Sequence, residues 1–117
     1  MGTRPAWTAL LFPLLLPTAC VGYAVPAAHV TNARDVIGVA HASGAATSAR
    51  ARPYLLIAES EFQRAMVSTG KEADLLLLRS QVDAELAIAV TREDRLEGQA
   101  IDASERARSL SEAPPGP

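Results

Sequence analysis

The apolar residues of this chain recur at alternating steps of three and four over most of the stretch from residue 30 to residue 90. One such stripe consists of Leu55, Ala58, Phe62, Ala65 and Thr69. Residues at this spacing share one face of an α-helix, whereas a half-buried strand needs alternation with a period of two. The chain is therefore expected to be all-α.

A short first helix is predicted at residues 32–43. Asn32 is typical of an N-cap, and Gly44 is typical of the residue that ends a helix in the left-handed conformation. The apolar stripe between these signals consists of Val30, Ala33, Ile37 and Ala40.

Two further helices are predicted to form an antiparallel hairpin. Pro53 suits the first turn of a helix and Gly70 suits its end, which places the second helix at 53–69. A third helix is expected at 72–108, and a link of only a few residues makes the two helices antiparallel neighbours.

The third helix carries an apolar face that is wider than a two-helix seam. The predicted seam consists of Leu75, Leu78, Val82, Leu86 and Ala89. If this seam is correct, a Leu78→Asp change should unfold the hairpin. Leu76 and Leu77 widen the face and need a second neighbour, which is either the first helix or a partner. They are the candidate partner-contact residues.

Beyond Val90 the third helix has few apolar residues and many charged ones. At 1.5 Å per residue, a helix that reaches residue 108 overshoots its hairpin partner by ~25 Å. Such an overhang is expected either to fray or to pair with another chain, and residues 111–117 are expected to form a disordered tail.

The predicted core is thin. Only five residues are aromatic, and two of them, Trp7 and Phe12, lie near the N-terminus. Burial yields about 25 cal/mol per Å² of apolar surface, and alanine offers little surface. The domain at 31–110 is therefore expected to be marginally stable alone or to be stabilised by a partner.

The first 19 residues have the pattern of a secretory signal. One basic residue, Arg4, precedes an apolar run at residues 6–16, and small residues follow it. A membrane-spanning helix needs about 20 apolar residues, and Pro13 and Pro17 interrupt this shorter run. The sequence therefore predicts export from the cytoplasm.

The sequence Thr18-Ala19-Cys20 at the end of this run resembles the lipobox of bacterial lipoproteins. The resemblance implies that the Cys20 thiol receives a diacylglyceryl group and that the signal is cut before it. Residues 20–30 would then form a lipidated tether. Pro17 departs from the aliphatic residue of the family, and Gly22 permits sorting to the outer membrane.

Ordinary signal cleavage is the alternative. A cut after Ala24 or Ala27 would remove Cys20 and release a soluble periplasmic protein.

The central part of the chain resembles a family of alanine-rich Gram-negative envelope lipoproteins, a domain of unknown function sometimes found beside an OmpA-like domain. The residues that carry the resemblance are Pro53-Tyr54, Ala58, Ala65, Gly70, Ala73 and the segment Gln81-Val82-Asp83-Ala84-Glu85-Leu86-Ala87. Leu75–Leu78 replace charged positions of that family. The resemblance implies a helical envelope protein without an established activity.

No residue pattern indicates catalysis or a cofactor. His29 and His41 are twelve residues apart and have no ligand spacing for zinc, so they are expected to be surface or loop residues. A net charge of −2 argues against a nucleic-acid partner, and no small-molecule substrate is evident.

The expected function is that of a non-enzymatic bacterial envelope lipoprotein. It would be anchored to a membrane through Cys20, facing the periplasm, and would present a helical hairpin to an envelope protein or to itself. The alternative is a soluble periplasmic binding or adaptor module.

Overall fold

The computed structural model of the protein describes residues 22–114 together with Gly2 and Gly116. The predicted signal at 1–19 and the lipidation site Cys20 lie outside the described residues. The described chain is all-α, as predicted, and consists of α1 (Ala27–Ser43), α2 (Arg52–Val67) and α3 (Gly70–Glu112). Helices α2 and α3 form the hairpin, and α1 packs mainly against α3.

Helix α1 begins five residues earlier than predicted. Pro26 takes the N-cap position with φ −60° and ψ 128°, and proline is already set for entry into a helix. Asn32 is therefore an exposed residue inside the helix and not its cap. Residues 27–30 belong to α1 and not to the predicted tether.

Gly44 ends α1 as predicted. Its φ of 94° is the left-handed conformation that glycine adopts without strain. The Gly44 N–H donates to the His41 carbonyl at 3.0 Å, and the Ala45 N–H donates to the Ala40 carbonyl at 3.1 Å. These two bonds form a Schellman motif. Ala40 and Ala45 are both fully buried, so the motif also closes one end of the core.

Helix α2 buries the stripe that the sequence predicts. Leu55, Ala58 and Ala65 are buried, and Phe62 is half-buried. The helix ends at Val67, before Thr69. Only Ser68 and Thr69 separate it from α3, which makes the hairpin antiparallel as expected.

The predicted seam of α3 is wrong. The buried residues of this helix are instead Ala73, Leu76, Leu77, Ser80, Ala84, Ala87 and Thr91. Ala73, Leu77, Ser80 and Ala84 alternate at steps of four and three, which is the spacing of a coiled-coil seam. Because most of these side chains are small, the helix axes can approach closely. We call this buried side the inner face of α3.

Helix α3 is also longer than predicted at both ends. Gly70, expected to cap α2, is its first residue and has a φ of 63°. At the other end, Ser111 and Glu112, expected to lie in the tail, belong to its last turn.

Candidate contact surface on the third helix

Helix α3 carries a row of exposed apolar residues that begins on the side opposite the inner face and drifts around the helix by about 20° every seven residues. Six residues at seven-residue spacing define this outer face: Leu75, Val82, Ala89, Leu96, Ala103 and Leu110. Four of them, Leu75, Val82, Leu96 and Leu110, are 50–77% exposed. A helix turns about 100° per residue, so positions two residues beyond the inner seam point away from it. Large apolar side chains aligned in this way mark an interaction surface more often than isolated ones do.

The predicted seam residues thus lie on this exposed surface and not in the core. Leu75 and Val82 belong to the outer face, and Leu78 and Leu86 flank it at 41% and 40% exposure. The Leu78→Asp change is accordingly no longer expected to unfold the hairpin.

Leu76 and Leu77 are not available to a partner. They are 4% and 1% exposed and pack in a cluster with Ala33 of α1 and Ala65 of α2. The prediction that they contact a partner is therefore wrong. The second neighbour that they need is supplied by α1, which was the other possibility in the sequence.

The C-terminal part of α3 extends beyond the other two helices. Among the described residues, none after Thr91 is buried. Arg95 donates to the Ser43 carbonyl at 3.2 Å, and Glu97 lies 3.6 Å from Arg50. We call residues 98–112 the overhang. It is about 22 Å long at 1.5 Å per residue, and its exposed apolar residues include Ile101 and Leu110.

A charged cluster fixes the α1–α2 connection to α3 where the overhang begins. The Arg50 guanidinium contacts Asp94 at 2.7 Å and Glu93 at 3.2 Å. The Ser48 hydroxyl donates to Asp94 at 2.7 Å and accepts the Ala51 N–H at 3.0 Å. Glu93 and then Asp94 raise the pKa of Arg50 above its usual value.

Both histidines pair with carboxylates on other helices. His29, in the first turn of α1, contacts Asp74 of α3, and His41, in its last turn, contacts Glu59 of α2 at 2.5 Å. The Tyr23 hydroxyl donates to the second Asp74 oxygen at 2.5 Å. These contacts hold the two ends of α1 and the segment before it. The sequence indicates surface or loop histidines and gives no sign of these pairs.

Asp74 should make the stability of the protein fall in acid. The hydrogen bond from Tyr23, followed by the one from His29, holds the pKa of Asp74 below its usual value. A lowered folded-state pKa means that ionised Asp74 stabilises the fold above about pH 4, and that this contribution is lost as the pH falls through the folded-state pKa. Urea unfolding at stepped pH below 4 should show a smaller loss for Asp74→Asn than for the wild type. Asp102→Asn in the overhang should match the wild type, and a parallel loss in all three proteins would contradict the assignment.

Glu61 of α2 should make the stability of the protein fall as the pH rises, which is opposite to the effect of Asp74. Burial, followed by the neighbouring Asp83 carboxylate, raises its pKa, and its Oε2 atom is buried without a hydrogen-bond partner. Stability contributed below the unfolded-state pKa, about 4.3, is therefore lost as the pH rises through the folded-state value. At pH 7, Glu61→Gln should raise the free energy of unfolding by about 1 kcal/mol, because it removes the negative charge beside Asp83 and replaces one carboxylate oxygen with an amide donor. The exposed Glu72→Gln change is the control, and equal effects of the two changes would refute this account.

A groove of about 390 Å³ lies between α1 and α2. Its lining includes Arg34, Ile37, Glu59 and Phe62, and the Arg34 guanidinium lies 5.8 Å from the centre of the Phe62 ring.

Within the described residues, no three His, Cys, Asp or Glu side chains come together as a set of metal ligands. In the same part of the chain, none of the helices is long and apolar enough to cross a membrane. Comparisons of the chain with protein-family models, with curated proteins and with solved structures found no match. The resemblance to envelope lipoproteins therefore stays a prediction that rests on the residues quoted for it.

Proposed function

We propose that this protein is a non-enzymatic envelope lipoprotein, attached through Cys20, which uses α3 to contact another protein. The observation that supports this function best is the outer face, because it presents exposed apolar side chains, four of them large, from the start of α3 into the overhang. Neither α1 nor α2 covers it. If α3 packed only against α1 and α2, the side of the helix that faces solvent would be expected to be polar.

The charges of α3 support a protein partner over a lipid surface. A helix that lies in a membrane interface carries Lys and Arg on its polar side. Here the overhang contains Asp102, Glu105 and Glu112 beside Arg106 and Arg108, so acidic residues outnumber basic ones. Mixed charges beside an apolar stripe are typical of helix–helix contacts.

The contact function can be tested in cells with a photo-crosslinking residue at Leu96. This position lies on the outer face at the start of the free part of α3. Glu105 is the matched control, because a residue nine positions after Leu96 lies on the opposite side of the helix. Crosslinked protein at Leu96 and not at Glu105 supports the proposal. Equal crosslinking at both positions, or none, would contradict it.

The attachment is tested separately with a fatty-acid probe. The wild-type chain should incorporate the label and fractionate with membranes, and Cys20→Ala should do neither. If labelling is absent or does not depend on Cys20, the protein is the soluble periplasmic adaptor, and the contact function of α3 is unaffected.

A further inference from the structure

The outer face of α3 has the features of one half of a symmetric helix pair. We infer that it binds the same face of a second copy, with the two α3 helices antiparallel. This inference rests on the proposed function and names the partner. Twofold pairs are the commonest protein assemblies, and in them each residue contact occurs twice.

The charged residues beside the stripe disfavour the parallel arrangement. Arg79 and Glu93 lie next to the outer face and at the same height in both chains of a parallel pair. Arg79 would then meet Arg79, and Glu93 would meet Glu93, near the centre of the contact. Like charges in this position disfavour a coiled-coil pair. An antiparallel pair places the two Arg79 side chains at opposite ends of the contact. Each Glu93 then faces Leu96 of the second copy, about one turn from the other Glu93, and is paired with Arg50 of its own chain.

In one antiparallel register, opposite charges of the two copies face each other and the two apolar stripes overlap from end to end. In this register Glu85 of one copy faces Arg106 of the other, and the symmetry axis repeats the pair. Both residues are exposed, and Glu85 accepts a hydrogen bond from Gln81 through Oε1. The apolar layers are then Leu86 with Ala103, Ala100 with Ala89, and Ala107 with Val82, and the two layers at the symmetry axis pair Glu93 with Leu96. Leu110 lies over the stem of Arg79 at each end.

Neighbouring registers are unfavourable. If one helix moves by seven residues in either direction, Arg92 faces an arginine of the second copy, either Arg106 or Arg92 itself. In the favoured register, Arg92 faces Gln99. The charges beside the stripe therefore select one alignment, which is how flanking charges set register in coiled coils.

The length of the stripe meets the lower bound for a specific pair. From residue 79 to residue 110 the helix is about 48 Å long, and a helix with its side chains is about 10 Å wide. Contact along this length buries on the order of 1,000 Å² in total, which is the lower bound of specific interfaces. Each overhang would lie along the outer face of the second copy, beside its three-helix region, so the pair also accounts for the length of α3.

Charge reversal tests the register. Sedimentation of the full chain carrying Cys20→Ala should show a dimer in the micromolar range. Glu85→Arg alone and Arg106→Glu alone should each raise the dissociation constant about tenfold or more, because each change places two like-charged pairs in the contact. The double variant should restore association to near the starting value. A monomer at these concentrations, or single variants that associate unchanged, would overturn the inference.

Cysteine pairing tests the orientation on the same Cys20→Ala background. In the antiparallel register, Glu85→Cys combined with Arg106→Cys places the two cysteines of different copies within reach of a disulfide. Each single variant places its cysteines about 30 Å apart. Covalent dimers are expected from the double variant only. Efficient dimers from Glu85→Cys alone would show a parallel pair and overturn the inference.

The crosslinker at Leu96 separates this inference from the proposed function. Crosslinks between two copies support both. Crosslinks to a different envelope protein, with a monomeric chain in sedimentation, leave the proposed function in place and overturn the second-copy inference.

Discussion

Leu77→Ala is expected to lower the free energy of unfolding by about 2–5 kcal/mol. Leu77 is 1% exposed and lies where α1, α2 and α3 meet. Removal of its side chain leaves a cavity that the surrounding alanines cannot fill, because they have no side-chain freedom. In so small a core this loss is a large part of the total stability.

Leu78→Ala is the matched control for this prediction. The residue type and the helix are the same, but Leu78 is 41% exposed, so the expected change is below about 0.5 kcal/mol. Urea unfolding followed by circular dichroism measures both variants at one protein concentration. If Leu78→Ala is the more damaging change, the orientation of α3 described above is incorrect.

Ala84→Leu is expected to destabilise the hairpin by about 1–3 kcal/mol or more. Ala84 and Ala58 are both fully buried in one cluster between the helices. Three added carbon atoms at this position cannot enter solvent and must push α2 and α3 apart. The gain from the larger apolar side chain does not offset the cost of separating the helices, because the inner face has no space for a leucine.

Ala42→Leu provides the comparison, since Ala42 is an exposed residue of α1. Its expected effect is within about 0.5 kcal/mol. Thermal unfolding of both variants measures the difference. An Ala84→Leu protein as stable as the wild type would mean that the two helices are not in close contact at this point.

The three-helix architecture and two of the three packed faces could be predicted from the sequence. In α1 and α2 only one stripe combines apolar character with helical spacing. The Ala33–Ala40 and Leu55–Ala65 stripes are therefore unambiguous, and the structure buries them. Gly44 was equally clear, because few residues other than glycine adopt its conformation readily.

The packed face of α3 could not be predicted in the same way. Leu75–Leu78 cover every side of the helix, so they do not define a direction. The true seam includes Ser80 and Thr91, which interrupt an apolar pattern, whereas the exposed stripe contains no such interruption. Both hydroxyls are satisfied in the fold: Ser80 donates to the Ala58 carbonyl at 2.7 Å, and Thr91 donates to the Ala87 carbonyl at 2.8 Å. Buried polar groups with partners cost little.

The polar contacts between elements were missed for a different reason. His29 and Asp74 are 45 residues apart in sequence, and Arg50 and Asp94 are 44 apart. Only the path of the chain brings these residues together. Spacing along the sequence therefore carries no signal for them.

If the chain is anchored at Cys20 as proposed, the contact of Tyr23 and His29 with Asp74 has a consequence for how the molecule would stand on a membrane. It places the beginning of the described chain beside the N-terminal part of α3, at the end far from the overhang. For a single copy attached at Cys20, α3 would point away from the bilayer. In the antiparallel pair the two Asp74 residues, each beside Tyr23 of its own copy, are about 60 Å apart at opposite ends. Two anchors in one leaflet would then hold the paired α3 helices parallel to the membrane surface. Association would therefore change the orientation of α3 from perpendicular to parallel to the membrane.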